Sequence, residues 1–285
     1  MIEFVEAIGQ NALLQNALLV GVIASVACGV MGSYVVARRI SYIAGGIAHC
    51  TLGGMGIARY LNRVVGWTWL QPLHGAVLAA VIAAIIIGYV SLRARQREDT
   101  VISALWASGM AIGILFIART PGYGEDLMSY LFGNILLVST GDLYLVAALD
   151  VFVLVLGLVF YNRFLAVCYD AEFARLRGVN VEFYYLLLLS LVALTVVVLV
   201  TVVGLVLVIA LLTLPAAIAS HFMSRLWQVM LVAIVISMLS TVAGLALSYG
   251  PQLPPGATTI AICAGAYLIT ILGKKVVAPR KNVMN

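Results

Sequence analysis

The sequence predicts an all-α polytopic membrane protein, and three observations lead to that class. Of its 285 residues, 64% are hydrophobic and only 9% are charged, whereas soluble domains carry roughly 25% charged residues. Its mean hydropathy is +1.14, so there is too little polar surface to cover a water-soluble globule. The apolar residues also form runs long enough for a bilayer, since a spanning helix needs about 20 residues. We expect one membrane domain over residues 1–285.

The apolar runs give nine predicted spans, with eight as the alternative if one of the weaker runs is re-entrant. The longest unbroken run covers residues 183–223 and is divided near Gly204, because no single span is that long. The nine spans are residues 17–37, 40–61, 73–92, 101–118, 143–161, 183–203, 204–223, 227–249 and 257–273.

Residues 131–138 are apolar but too short to span, and polar residues bound them on both sides. They fit either a re-entrant half-helix that enters from the outer face or an amphipathic segment on the membrane surface. Non-helical backbone at membrane depth is tolerated only beside protein or a water-filled cavity. The half-helix interpretation therefore places this segment near a pathway.

Basic residues flank the spans unevenly, which predicts the orientation. With alternate crossing and the N-terminus outside, the outer side holds only Arg59, Arg63 and Arg119. The other side holds Arg38, Arg39, Arg93, Arg95, Arg97, Arg163, Arg175, Arg177, Arg225, Lys274, Lys275, Arg280 and Lys281. Cytoplasmic loops carry the excess of Lys and Arg. The C-terminus and the segment 162–182 are therefore expected in the cytoplasm.

The segment 162–182 is too charged for a bilayer, and its middle, residues 170–177, predicts a short helix. Asp170 is a suitable N-cap and Gly178 stands where a helix ends. Phe173 and Leu176 are three residues apart and share one face. An apolar face among charges suits docking to a soluble partner, although an ordinary charged loop fits equally well. Its charged residues are Arg163, Asp170, Glu172, Arg175, Arg177 and Glu182.

The second span surrounds His49 with glycines. Positions 45, 49, 53 and 56 share one helical face, and small residues at this spacing let another helix approach closely. Tight packing with a hydrogen-bonded histidine is one interpretation. The other is a transport pathway, because an ionisable residue within a span is costly and imidazole binds zinc, copper, iron and nickel. Cys50 points about 100° away from His49, so we do not expect both to bind one ion.

Four further residues could carry charge or protons. Asp150 lies within a span, where it could be a paired structural carboxylate, a proton relay or a cavity residue, and the structural role is favoured. His74, Glu125 and Asp126 lie toward the outer side. They could meet an incoming cation or simply be solvated.

Several function classes are excluded by motifs that the sequence lacks. It has no G-x-x-x-x-G-K-[ST] loop, no H-E-x-x-H and no G-x-S-x-G, so we expect neither an ATPase nor a common hydrolase. Its four cysteines are scattered, which argues against a disulfide framework or a structural zinc site. The basic residues flank membrane spans, so nucleic acid is not an expected partner. The first ten residues lack the features of a removable signal peptide.

Five ordered blocks resemble the permeases of metal-ion ABC transporters, the zinc, manganese and iron family called ABC-3. They read VMGSYVVARRISYIAGGIAHCTLGG, LMSYLFGNILLVSTGDL, YDAEFARLRGV, VVGLVLVIALLTLPAAIAS and LPPGATTI, and the resemblance extends over residues 21–272. It implies a fold like that of type II importers in the bacterial cytoplasmic (inner) membrane. It also implies a permease homodimer with two copies of a separate ATPase that hydrolyses ATP, so this chain binds no cofactor. An extracytoplasmic metal-binding protein would deliver the ion.

The resemblance also implies roles for individual residues. The segment of about 170–179 corresponds to the coupling helix that sits in a cleft of the ATPase. Its matching residues are Asp170, Glu172, Phe173, Arg175, Arg177 and Gly178.

The second span departs from the family pattern R-R-x-x-x-x-G-D-x-x-x-H. Arg38, Arg39 and His49 match, but Ala44 and Gly45 replace the Gly-Asp pair. Either another span supplies the missing ligand, or the ion is coordinated more loosely during passage. The candidates at a similar depth in the membrane are His74, Glu125, Asp126 and Asn134.

We expect the permease of an ATP-driven importer for divalent transition-metal ions. Loss of a carboxylate favours zinc over manganese, which depends more on oxygen ligands, with manganese and iron as the other ions. The alternative is a gradient-driven secondary transporter with Asp150 as proton carrier, although such folds show internal repeats and none is evident here. A structural membrane subunit without transport is the third class.

Overall fold

The computed structural model of the chain describes residues 9, 11–93, 98–121, 138–251 and 253–277. Eleven α-helices have their bounds within these residues, and a π-helical turn, Leu61–Val65, follows the second of them. They are α1 (Ala12–Arg38), α2 (Ser41–Tyr60), α3 (Pro72–Arg93), α4 (Glu98–Ala118), α5 (Thr140–Val159), α6 (Tyr161–Tyr169), α7 (Ala171–Leu176), α8 (Val181–Val203), α9 (Leu205–Phe222), α10 (Leu226–Tyr249) and α11 (Pro255–Val277).

The fold class predicted from the sequence is confirmed. Nine of the eleven helices have 18 or more residues and match the nine predicted spans in order. Eight of the nine are long and apolar enough to cross a membrane, and the ninth is α2, the glycine-rich helix that carries His49. The break between α8 and α9 falls at Gly204, whose φ is 93°. The predicted half-helix at 131–138 lies outside the described residues except for Val138.

Two helices form the centre of the bundle. In α1 and in α8, 72% of the most apolar stretch is buried inside the protein, against 11% in α4 and 17% in α11. The outer faces of α4 and α11 therefore contact lipid or another chain. Within the core, the Tyr34 hydroxyl donates a hydrogen bond to the Gly157 carbonyl at 3.0 Å, which ties α1 to α5.

A bend between α5 and α8 carries two short helices, α6 and α7. Phe164 of α6 is fully buried, and its ring meets the Tyr34 ring edge-on at a centroid distance of 5.4 Å. Burial raises the pKa of the Cys168 thiol to about 12, although Arg38 opposes the shift. The Cys168 sulfur lies 3.9 Å from the Tyr34 carbonyl oxygen. These contacts join α6 to the end of α1, so the bend cannot move independently of that helix.

The basic helix ends meet at one end of the bundle. Arg39, which links α1 to α2, lines a cavity of about 580 Å³ together with His221 and Tyr267. At α3 and α8, Arg93 and Glu182 form an exposed ion pair at 2.8 Å, and such pairs contribute about 0–1 kcal/mol. These helix ends are predicted to lie on one side of the membrane because they carry basic residues, and in the structure they lie at the same end of the bundle. Which side faces the cytoplasm stays a prediction.

Candidate functional site

The glycines of α2 allow close packing on both sides of the helix. A Cβ atom at Gly53 would lie 2.7 Å from the Gly109 carbonyl oxygen of α4. A Cβ atom at Gly54 would overlap the Gly75 carbonyl of α3. Only glycine fits where one backbone contacts another in this way. The packing interpretation of these glycines is therefore correct, and it holds α2 between α3 and α4.

His49 lies in this packed helix without the hydrogen bond that a purely structural histidine would make. The residue is 8% exposed, and its Nδ1 is buried with no partner among the residues that the structure describes. Buried polar atoms in proteins are nearly always paired. The imidazole instead stacks on the Trp106 indole of α4, with ring centroids 4.4 Å apart and 16° between planes. The site thus offers an unused nitrogen within a membrane helix.

Trp106 also contacts the preceding turn of α2. A Cβ atom at Gly45 would lie 3.6 Å from its ring, which is ordinary van der Waals contact. The Tyr42 ring lies 5.7 Å from the indole, and the Tyr42 hydroxyl is 2.7 Å from the Ser103 hydroxyl. The three rings form an aromatic row along the α2–α4 interface. Sequence reasoning missed Trp106, because nothing in α4 indicates which of its faces meets His49.

The Cys50 sulfur, which is the other soft metal-ligand atom near His49, already makes a hydrogen bond. The Cys50 thiol donates to the Leu105 carbonyl at 3.3 Å. It also borders a largely apolar cavity of about 240 Å³ between α2, α3 and α4. Over the described ranges, no three His, Cys, Asp or Glu residues lie together as a metal site would require. A metal at His49 would need further ligands from water, a partner chain or undescribed residues.

Of the outer candidates the structure describes only His74, and His74 does not lie beside His49. His74 is exposed at the start of α3, and its Nδ1 accepts a hydrogen bond from the Gln71 N–H at 3.3 Å. The neighbouring Gly75 packs on Gly54 of α2. Gly54 lies five residues after His49, or about 7.5 Å farther along the helix axis, so α3 places His74 away from His49. Glu125, Asp126 and Asn134 lie outside the described residues.

Asp150 is buried within α5, where it is 4% exposed. Neither of its carboxyl oxygens makes a hydrogen bond of strict geometry in the described parts of the chain, but the backbone N–H of Ala27 on α1 interacts with the carboxyl. The structural role of this carboxylate therefore stays a prediction. The residue could face a partner or water, but it does not share a site with His49 in this arrangement.

The predicted short helix is present as α7 and is capped as its sequence indicates. The Asp170 carboxylate accepts a hydrogen bond from the Phe173 N–H at 2.9 Å. At the other end Gly178 has a φ of 76°, the left-handed conformation typical of a helix terminus. Ala174 is buried and anchors the helix. The helix thus has a fixed orientation at the end of the bundle where the basic residues gather.

The outward face of α7 is apolar with charged neighbours. Phe173 is 51% and Leu176 is 87% exposed, while Glu172, Arg175 and Arg177 are also exposed. The Arg177 guanidinium lies 5.2 Å from the Phe173 ring centroid. Exposed apolar groups rimmed by charge are typical of protein interaction sites.

Comparison with known proteins places the whole chain in one group. A family described as the ABC 3 transport family matches residues 10–274. A "Probable metal transport system membrane protein" of Chlamydia trachomatis is 40% identical, over 92% of this chain and 89% of its own length. The "Manganese transport system membrane protein MntC" of Halalkalibacterium halodurans is 31% identical, over 99% and 92%. The solved structure of PsaBC from Streptococcus pneumoniae in complex with Fab superposes with a TM-score of 0.84 at 28% identity, over 99% and 98%.

Proposed function

This chain belongs to the ABC 3 transport family, and from that premise we propose that it is the permease of an ATP-driven importer for a divalent transition-metal ion. As the permease it is not the ATPase, and a separate partner subunit would hydrolyse ATP. One observation carries the proposal to a specific residue. The buried His49 imidazole has a nitrogen with no partner among the described residues, in a helix packed between two candidate membrane spans.

We infer that His49 binds the ion during passage. An ionisable side chain inside a membrane domain is costly and usually functional. Imidazole nitrogen suits zinc and its neighbours, whereas manganese prefers oxygen ligands. Gly45, one turn before His49, offers no oxygen, which supports zinc as the transported ion. Manganese is the second candidate, because the Halalkalibacterium halodurans relative is named for manganese transport.

A second copy of the chain would complete the site. The described residues do not hold three metal ligands together, and α4, which covers His49, is the least buried of the eight described helices that could cross a membrane. Its exposed residues include Ala104, Ala107, Ser108 and Ala111. Small residues let membrane helices approach closely. This supports a homodimer in which the partner copy supplies further ligands.

The apolar face of α7 would dock the ATPase on the cytoplasmic side. A path for the motion follows from the contacts of the bend. α7 continues from α6, whose Phe164 packs on Tyr34 of α1, and only Arg39 and Ile40 separate α1 from α2. Movement of the docked helix would therefore reach the helix that carries His49 through packed side chains. An extracytoplasmic binding protein would deliver the metal at the opposite end.

Metal uptake into vesicles tests this function. The permease would be reconstituted with its cognate ATPase and binding protein, and uptake of zinc, manganese and iron measured separately with ATP or ADP. We expect ATP-dependent zinc uptake that His49→Ala abolishes and that Trp227→Ala, which removes a half-exposed tryptophan of α10, leaves unchanged. Faster uptake of manganese than of zinc would identify manganese, rather than zinc, as the transported ion. Uptake that follows a proton gradient without ATP would contradict the importer and favour a secondary transporter.

A further inference from the structure

Trp106 covers two successive positions on one face of α2. Its indole stacks on the His49 imidazole at 4.4 Å, and it lies 3.6 Å from the point where a side chain at Gly45 would begin. Residues four apart on a helix are neighbours on its surface. One aromatic ring therefore occupies the space beside His49 that a ligand from the preceding turn, or a water molecule, would use.

The indole also holds the imidazole in one orientation. A metal-binding histidine is usually oriented by a hydrogen bond from its second ring nitrogen. Here the buried Nδ1 has no such partner in the described residues, so ring stacking takes over that role. A metal binds an imidazole nitrogen in the plane of the ring, so the stacked indole borders the bound ion on one side. The indole thus shapes the surroundings of a bound ion on one face of His49.

Gly45 differs from the packing glycines of the same helix. Gly53 and Gly54 contact the backbones of neighbouring helices and leave no room for a Cβ atom. A Cβ atom at Gly45 meets only the outer edge of Trp106, at ordinary contact distance. Close helix packing therefore does not require glycine at this position. What limits a longer side chain here is the indole.

We propose that Trp106 is the specificity-determining residue of the His49 site. This inference depends on the proposed passage of metal past His49. The indole keeps carboxylate and water oxygens away from the ring face that it covers and from the side of Gly45, so the site retains ions that bind well to nitrogen. Zinc is held with four ligands and accepts imidazole readily. Manganese prefers oxygen ligands, and the aromatic ring excludes them.

Metal binding by four variants tests the role of Trp106. The permease with its ATPase would be purified in lipid nanodiscs, and Zn²⁺ and Mn²⁺ binding measured separately by equilibrium dialysis and elemental analysis. The variants are Trp106→Ala, Trp106→Phe, Gly45→Asp and the double variant Gly45→Asp/Trp106→Ala. Trp227→Ala removes a half-exposed tryptophan at the start of α10 and is the matched control. Because the readout is the ratio of manganese to zinc affinity, partial loss of folded protein does not change it.

We expect Trp106→Ala to raise the manganese-to-zinc ratio by about tenfold or more, since residues that orient a metal-binding histidine affect affinity by roughly 10–100-fold. Trp106→Phe keeps a stacked ring and should stay near the wild-type ratio, as should Trp227→Ala. Gly45→Asp alone should raise the manganese-to-zinc ratio only slightly, because the indole leaves little space for the carboxylate. The double variant should raise the ratio most, because it removes the indole.

Two results would overturn the inference, and they differ from failure of the proposed function. An unchanged ratio in Trp106→Ala would show that the indole does not select the ion. If Trp106→Ala fails to fold, a clear gain of manganese affinity in Gly45→Asp alone would show that the indole does not exclude the carboxylate. His49→Ala is the reference. Zinc binding that survives His49→Ala would remove His49 from the pathway, and the role of Trp106 with it.

Discussion

Removing the Leu176 side chain tests whether α7 docks onto a soluble ATPase. Leu176 is 87% exposed although it lies outside the membrane spans. The buried Ala174 and the Asp170 cap hold the helix so that Leu176 and Phe173 face outward. An exposed leucine contributes little to the stability of the permease. Leu176→Ala should therefore leave the thermal unfolding of the permease unchanged while it weakens binding of the ATPase.

The size of the effect follows from the apolar area available. Complete burial of a leucine side chain is worth about 1.5–3 kcal/mol. Nearly all of the Leu176 side chain is exposed before docking, so almost the whole of that energy can be gained in the complex. Leu→Ala should then cost about 2 kcal/mol, and because 1.4 kcal/mol is tenfold in Kd, binding should weaken roughly 30-fold. Phe173→Ala should cost a smaller share of the residue's full burial energy, since about half of Phe173 is already covered before docking.

The assay is the Kd of the isolated ATPase for the permease in nanodiscs, measured by interferometry. Leu158→Ala is the matched control, because Leu158 is 71% exposed on α5 within a membrane span. We expect weaker binding with Leu176→Ala and Phe173→Ala and unchanged binding with Leu158→Ala. Wild-type Kd values for both α7 variants would refute docking through this face.

Three further substitutions test packing and transmission. Gly54→Ala should lower the unfolding temperature by overpacking, which costs about 1–3 kcal/mol, whereas Gly265→Ala on α11, where a Cβ atom meets nothing within 4 Å, should not. Phe164→Ala should cost about 3–5 kcal/mol and reduce metal-stimulated ATP hydrolysis more than ATPase binding, because it separates α6 from α1. Asp150→Asn should leave ATP-driven uptake near wild type, since an asparagine of the same size can still accept a hydrogen bond from the Ala27 backbone N–H.

Each of these expectations has a result that contradicts it. Equal unfolding temperatures for Gly54→Ala and Gly265→Ala would mean that α2 and α3 are not in backbone contact. Full stimulation of ATP hydrolysis in Phe164→Ala would place the transmission path elsewhere. Loss of uptake in Asp150→Asn with recovery in Asp150→Glu would identify a proton-carrying carboxylate.

Local and compositional signals made most of the fold predictable. A bilayer requires a certain length of apolar chain, so hydropathy alone located all nine long helices. The division at Gly204 followed from the same length limit, and α7 was predictable because Asp170 and Gly178 act on adjacent backbone atoms. The glycines of α2 likewise indicated close packing before any neighbour was known.

Contacts between distant parts of the chain were not predictable in this way. The stacking of His49 on Trp106 joins residues on different helices, and hydropathy does not give the rotation of α4 that brings the rings together. The surroundings of Asp150 are equally invisible in sequence, because a single buried carboxylate has the same pattern whether or not it is paired. Glu125 and Asp126 lie outside the described residues, so their predicted roles stay predictions.

The central claim is that energy reaches this membrane domain from the cytoplasm through α7, and the sidedness of Leu176→Cys tests it most directly. All four native cysteines are buried, so the introduced thiol is the accessible one for a membrane-impermeant maleimide. Trp69→Cys, exposed between α2 and α3, is the control for the outer face. We predict labelling of Leu176→Cys only in inside-out vesicles and of Trp69→Cys only in intact cells. Labelling of Leu176→Cys in intact cells would contradict the account.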